Sequence, residues 1–214
     1  MKKIRKILAV AICFALLFNT VVFASDKEVK VQDTKDIYSN ELEETVTVNG
    51  AEYIYKYSYT STGNRMISVE NVCTHELDII EYDENTSTMS VNGEETSTYV
   101  AISDMETIPE TAGPYSNYTD LGTTSKKISW GASTTAAALA AIIAVTVGGV
   151  SAAAVIAKIG SAALGVIAVQ VQYGVVRTHV YAMYAGSVTN YKYVWSFTPA
   201  GGSKYGDYIS YVTV

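Results

Sequence analysis

Residues Ser129 to Val176 read SWGASTTAAALAAIIAVTVGGVSAAAVIAKIGSAALGVIAVQVQYGVV, an alanine- and glycine-rich apolar block in which Lys158 is the one charged side chain. The run exceeds the length of a single buried core helix, so it predicts two helices or more. Gly148-Gly149 is the natural break, because paired glycines weaken a helix and admit the left-handed geometry of a C-terminal cap. Ser151 stands where an N-cap would start the next helix. Small residues recur every four positions, at Ala132, Ala136, Ala140, Ala144 and Gly148, then at Ala153, Ala157, Ser161 and Gly165. On helices each set forms a seam along which two backbones approach closely. The expectation is a tight antiparallel helical hairpin; the alternative is that alanine-rich composition alone produces the spacing.

Lys158 bears on what such a hairpin does. At mid-bilayer it would cost about 2.5–3.5 kcal/mol, and alanine and glycine offer little hydrophobic drive in return. The helices suit a hairpin that folds in water against a sheet, or one that inserts conditionally.

Outward from the block, the chain begins with a secretory signal, residues 1–24. Lys2, Lys3, Arg5 and Lys6 form its basic region, Ile7 to Phe18 its apolar region, and Val22-Phe23-Ala24 a cleavage site that makes Ser25 the new N-terminus. An uncleaved anchor is the competing reading, disfavoured by the short apolar run. Ile12 before Cys13 argues against lipoprotein processing. The signal carries four of the 15 basic residues and none of the 21 acidic ones, leaving 11 against 21, net −10. It also removes Cys13, so Cys73 is left without an intramolecular disulfide partner. From Ser25 to Asp120 there are 20 acidic and five basic residues (−15), and from Leu121 onward six basic and one acidic (+5). An acidic half thus precedes a basic, apolar one, a pattern associated with membrane or polyanion contact.

Residues 25–42 are polar and aperiodic, and predict a poorly ordered leader. Residues 43–104 predict an acidic antiparallel meander. Glu44 to Val48 runs through Asn49-Gly50, a strong hairpin signal that recurs at Asn92-Gly93. Between them lie strands at Ala51–Thr60, Arg65–Cys73 and Leu77–Asp83. Tyr53, Tyr55, Tyr57 and Tyr59 fall on one strand face, read as half-buried packing with glycan binding as the functional alternative. Residues 105–125, with Pro109, Gly113 and Pro114, predict a linker between domains. Residues 126–214 complete an α+β chain, in which the helical hairpin packs on a small C-terminal antiparallel sheet. There Tyr191, Tyr193, Trp195 and Phe197 alternate along a strand. Their aromatic face needs the helices as cover, or serves as a membrane-interface surface.

Catalytic patterns are missing from the sequence: no Gly-x-Ser-x-Gly, His-Glu-x-x-His or phosphate-binding loop, and two histidines, His75 and His179. Cys73-Thr74-His75-Glu76 gathers possible ligands, but Cys73 and His75 on one strand face supply only two donors. No enzyme, metal or small-molecule cofactor is expected, and a net charge of −10 without a clustered basic stripe disfavours nucleic acid.

The apolar block resembles the glycine-punctuated helices of circular and pore-forming bacteriocins. With the VNGEE hairpin, the STTAAALAAIIAVT run and the terminal WSF strands, the layout is similar to secreted geobacillin-type bacteriocin-like proteins of Gram-positive bacteria. That resemblance implies an antibacterial or cell-surface role and carries over no catalytic residue. Two expectations follow. One is a membrane-active protein directed at a target-cell membrane, with the acidic half as an inhibitory or chaperoning pro-region. The other is a stable protein of the cell envelope, structural or binding, whose apolar block is simply core.

Overall fold

The computed structural model describes residues 36–96, 99–101 (backbone only) and 118–214, all within one compact unit, Val31–Val214. The signal segment with its Ala24/Ser25 cleavage point, most of the leader, and residues 102–117 of the linker region lie outside the described residues.

The chain is α+β in the expected order. The acidic half forms a six-stranded meander: β1 (Glu43–Val48), β2 (Ala51–Tyr59), β3 (Arg65–Asn71), β4 (Leu77–Asp83), β5 (Thr88–Val91) and β6 (Glu94–Thr96), paired in sequence order. Both Asn-Gly turns form as two-residue hairpin loops, closing Val48 on Ala51 and Val91 on Glu94. Asn49 and Asn92 adopt φ of 51° and 54°, with Gly50 and Gly93 also positive, the backbone that matches strand twist. The second sheet joins β7 (Tyr99–Ala101), β8 (Thr119–Ser129), β9 (Tyr173–Ala185), β10 (Val188–Pro199) and β11 (Tyr205–Thr213) in the order β11-β10-β9-β8-β7.

Between β8 and β9 run α1 (Ala136–Val147), α2 (Ala152–Ile159) and α3 (Ser161–Gln170). Thr135 caps α1 by accepting from Ala138 N–H, and Gly148, at φ 83°, ends it in left-handed geometry. Ser151 caps α2 as expected, accepting from Ala154 N–H. The glycine pair bends the chain by 112° between α1 and α2. The second arm of the expected hairpin is itself broken at Gly160, whose φ of 93° no side-chain-bearing residue adopts readily, so the apolar block forms three helices.

All twelve residues of α1 are buried. It packs on β3 and β4 of the first sheet and on β9 and β10 of the second, with α2 and α3 beside it. Tyr55, Tyr57, Ile67, Ile80 and Tyr82 line one wall; Ile128, Val176, Trp195 and Phe197 line the other. A helix that is apolar all round belongs at such a position. The tyrosine face of β2 and the aromatic face of β10 are therefore packing surfaces, with Tyr55, Tyr57, Trp195 and Phe197 fully enclosed.

This arrangement corrects the domain division. One core is shared by residues 43–104 and 126–214, because the walls around α1 come from both. The β7 strand from the first segment pairs with β8 in the second sheet, and β8 begins at Thr119, inside the expected 105–125 linker. The leader is also shorter than residues 25–42: Ile37 and Tyr38 are buried, and the turn is tied by Asp36, which accepts from Tyr38 N–H and Tyr59 O–H.

The seam is corrected in the same way. Ala136, Ala140 and Ala144 are buried, but so is every other residue of α1, and Ala132 is exposed ahead of the helix. Ala153 and Ser161 are half-buried, while Ala157 is exposed. One close approach does join two of the seam positions, Gly165 and Ala136. A side chain at Gly165 of α3 would meet Ala136 Cβ at 3.9 Å, and the Asn49 amide of the first hairpin at 2.9 Å. Gly148 and Gly149 likewise have no room for a Cβ, the first against Arg65 and the second against the Tyr193 ring.

Candidate functional site

Three constellations unite residues distant in sequence. The first joins the acidic half to the helix ends. Glu44 on β1 accepts from Tyr57 O–H at 2.5 Å and from Ala153 N–H at 2.9 Å, while Tyr57 oxygen accepts from Ala152 N–H at 2.6 Å. A carboxylate thus meets the positive end of α2, supplementing the Ser151 cap. Burial drives the Tyr57 hydroxyl well above its ordinary pKa, with Glu44 beside it adding to the shift. At the C-terminal end of α1, Arg65 lies buried against Gly148. Its guanidinium is 5.0 Å from the centre of the Tyr82 ring and 5.9 Å from that of Tyr38, and it pairs with Glu84. A cation therefore meets the negative end of α1. Lys158 needs no such shelter: it is exposed in the last turn of α2, and its charge lies outside the apolar core.

The second constellation is on the outer face of the C-terminal sheet. A register shift in β8 at Gly122 sets Asp120 beside β9, where its Oδ1 is 2.6 Å from His179 Nε2. The His179 ring stacks on Tyr181 with centroids 4.2 Å apart, and the Tyr181 hydroxyl is 3.4 Å from Nδ1. The hydrogen bond from His179 holds the Asp120 carboxyl below the usual range, helped by Gly122 N–H. Both ring nitrogens of this imidazole have a neighbour within the sheet. The arrangement braces β8 against β9.

The third is a cleft of about 530 Å³ between the turn joining β5 to β6 and the 129–134 segment that leads into α1. Asp78, Glu94 and Glu95 contribute carboxylates, and Thr96, Ser133 and Thr134 contribute hydroxyls. Trp130 also lines it; the residue is buried, and its Nε1–H has no acceptor. Asn92 holds the hairpin side rigid, donating to Asp78 at 2.9 Å and accepting from Ile79 N–H at 2.8 Å. On the other side, Trp130 N–H donates to the Gln172 carbonyl and Thr134 N–H to that of Gly131.

Of the residues singled out by sequence, Cys73 and His75 lie in a turn rather than on a strand. Asn71 Oδ1 accepts from Cys73 and Thr74 N–H, and His75 takes φ 57°. His75 pairs with Glu70 at 3.1 Å, and Cys73 is an exposed free thiol. Among the described residues, no three His, Cys, Asp or Glu side chains form a metal-ligating group. Of the small-residue positions, Ala136, Ala140 and Ala144 build core, whereas Ala132 and Ala157 are exposed. The cleft is the feature that sequence reading missed. Its signal was Glu94-Glu95 directly after an Asn-Gly turn, but the pairing of that turn with Trp130 is a tertiary fact.

No protein-family model, no curated protein and no solved structure matches the chain.

Proposed function

We propose that this chain is an exported binding protein of the cell envelope, in which the apolar helical block is the core and not a membrane-disrupting device. The observation that carries this reading is the complete burial of α1 between sheets from both halves. Releasing α1 into a bilayer would strip Tyr55, Ile67, Ile80, Trp195 and Phe197 of their packing at once. The acidic half supplies one wall of the core and the charged partners of two helix ends, so its role is structural rather than that of a removable pro-region. No single described helix is long and apolar enough to cross a membrane, and in the bent α1–α2 pair the first helix is wholly enclosed.

The membrane-active alternative differs in a direct measurement. The mature chain, residues 25–214, is added to dye-loaded anionic vesicles and, separately, to isolated Gram-positive cell envelopes. The expected result is no dye release, with sedimentation of the protein alongside the envelopes. Release by the folded chain would overturn the proposal.

A further inference from the structure

Among the described strands, four bound the two sheets: β1 and β6 the first, β7 and β11 the second. An edge strand turns a row of backbone N–H and C=O groups away from the ladder, a template for another strand. Here β6 and β7 are three residues each, and β1 carries Glu43 and Glu44. By contrast β11 is nine residues long, and only its start is blunted, by the register shift opposite Trp195 and Phe197 and by the Lys204–Asp207 ion pair at 2.7 Å. From Tyr208 to Val214 the sequence YISYVTV has no charge, proline or glycine, and all but Ser210 are β-branched or aromatic. The ladder fixes which groups face the edge. Thr189 and Val214 exchange both backbone bonds, at 2.8 and 2.9 Å, and the register runs unbroken from Asn190↔Thr213 to Trp195↔Tyr208. Antiparallel alternation therefore turns the N–H and C=O of Val212, Ser210 and Tyr208 toward β10, and those of Thr213, Tyr211 and Ile209 toward the edge. The side chains of Ile209 and Tyr211 are 47% and 48% exposed.

We propose that β11 is a self-association surface, on which two copies of the chain pair their β11 strands antiparallel about a two-fold axis at Ser210. The two C-terminal sheets then run on as one. A second copy suits this edge because an uncharged strand facing itself meets no like charge, whereas β1 would oppose glutamates to glutamates. With the axis at Ser210, the edge-facing groups of Ile209 in each copy meet those of Tyr211 in the other, a hydrogen-bonded pair that sets a β-branched side chain against an aromatic ring. Tyr208 falls opposite Val212 on the inner face. Such a contact is isologous and uses up both edges, so it closes at two copies instead of propagating into a fibre. The inference goes beyond the envelope-binding reading and does not depend on it.

The test is sedimentation equilibrium of the mature chain, with reductant present so that the exposed Cys73 links no copies. The dimer mass is expected at about 100 μM and the monomer mass on dilution. Backbone amide exchange at Ile209 and Thr213 should slow as the dimer forms. Ile209→Lys and Tyr211→Glu should each weaken the dimer about tenfold or more. Mixed in equal amounts, the two variants should dimerise again, because the new ammonium of one copy lies opposite the new carboxylate of the other. That rescue distinguishes the proposed register from a general loss of structure. Val169→Lys, at a 78% exposed position on α3, should leave the dimer unchanged. A monomer over the whole range, exchange at Ile209 and Thr213 that ignores concentration, folded single variants that still dimerise, folded variants whose mixture stays monomeric, or a dimer lost in Val169→Lys would each overturn the proposal. Where a variant fails to fold, exchange in the parent chain decides alone.

Discussion

Arg65 shows how far a residue's role can lie from its composition. In sequence it is one of five cations in an acidic half; in the fold it is the counter-charge to the end of a buried helix, stacked near two tyrosines. Arg65→Met is expected to destabilise the protein by about 2 kcal/mol or more, from the lost helix-end and cation–π interactions. Glu84, its partner, is 68% exposed, so Glu84→Gln should cost less than about 1 kcal/mol. Equal shifts in the urea midpoints of the two variants would mean that the ion pair, not the helix end, is what matters. Asp120 gives a second residue-scale expectation. Its folded pKa is depressed by the His179 hydrogen bond, so its contribution is present above the ordinary carboxylate pKa and is lost as pH falls through the depressed value. Asp120→Asn should therefore lower Tm at neutral pH, and the gap from the parent should close on acidification below about pH 4. A gap that persisted at low pH would place the effect in packing. Cys73, exposed in its turn, should be replaceable by serine with no change in Tm.

At the scale of elements, α1 reorders what the small-residue spacing predicts. Ala140 is fully enclosed, so Ala140→Leu should cost about 1–3 kcal/mol by overpacking. Ala157 has the same place in the sequence pattern but is exposed on α2, and Ala157→Leu should stay within about 0.5 kcal/mol. Thr146, which the seam places off the contact, is 2% exposed and donates its hydroxyl to the Ile142 carbonyl at 2.7 Å. Its replacement by leucine belongs with Ala140 and not with Ala157. Urea midpoints for the three variants of the mature chain decide the matter, and a large loss at Ala157 would restore the seam. Within α1 the four-residue spacing singles out no face, because a stripe is informative only when the rest of the helix differs from it. In α1 nothing does.

For the molecule as a whole, the two halves share one core around α1. A fragment comprising residues 118–214 would keep Trp195 and Phe197 but lose the wall formed by Tyr55, Tyr57, Ile67, Ile80 and Tyr82. Such a fragment should lack fixed tertiary packing, seen as loss of the near-ultraviolet circular dichroism of its aromatic residues, and should bind hydrophobic dyes. A fragment with native-like signal and a cooperative unfolding transition would show that the C-terminal half is independent after all. Thermal unfolding of the mature chain should correspondingly be a single transition.

The sequence by itself determined the turns and caps that bound many elements, though not the break at Gly160 or the strand that begins at Thr119. Asn-Gly turns require positive φ at two successive residues and so close hairpins wherever they interrupt alternating strands, while Gly148-Gly149 and Ser151 end one helix and start the next. These are local constraints, written within a few residues. Which surfaces meet was decided only in the tertiary structure. Alternation states that Tyr55 shares a face with Tyr53 and Tyr57, and Trp195 with Tyr193 and Phe197, but not that the two faces confront one helix from opposite sides. An apolar block with no polar face carries no direction of its own, so its burial was legible while its neighbours were not. The cleft follows the same logic: Glu94 and Trp130 lie 36 residues apart in sequence, and only the closure of both sheets on α1 brings them to one cavity.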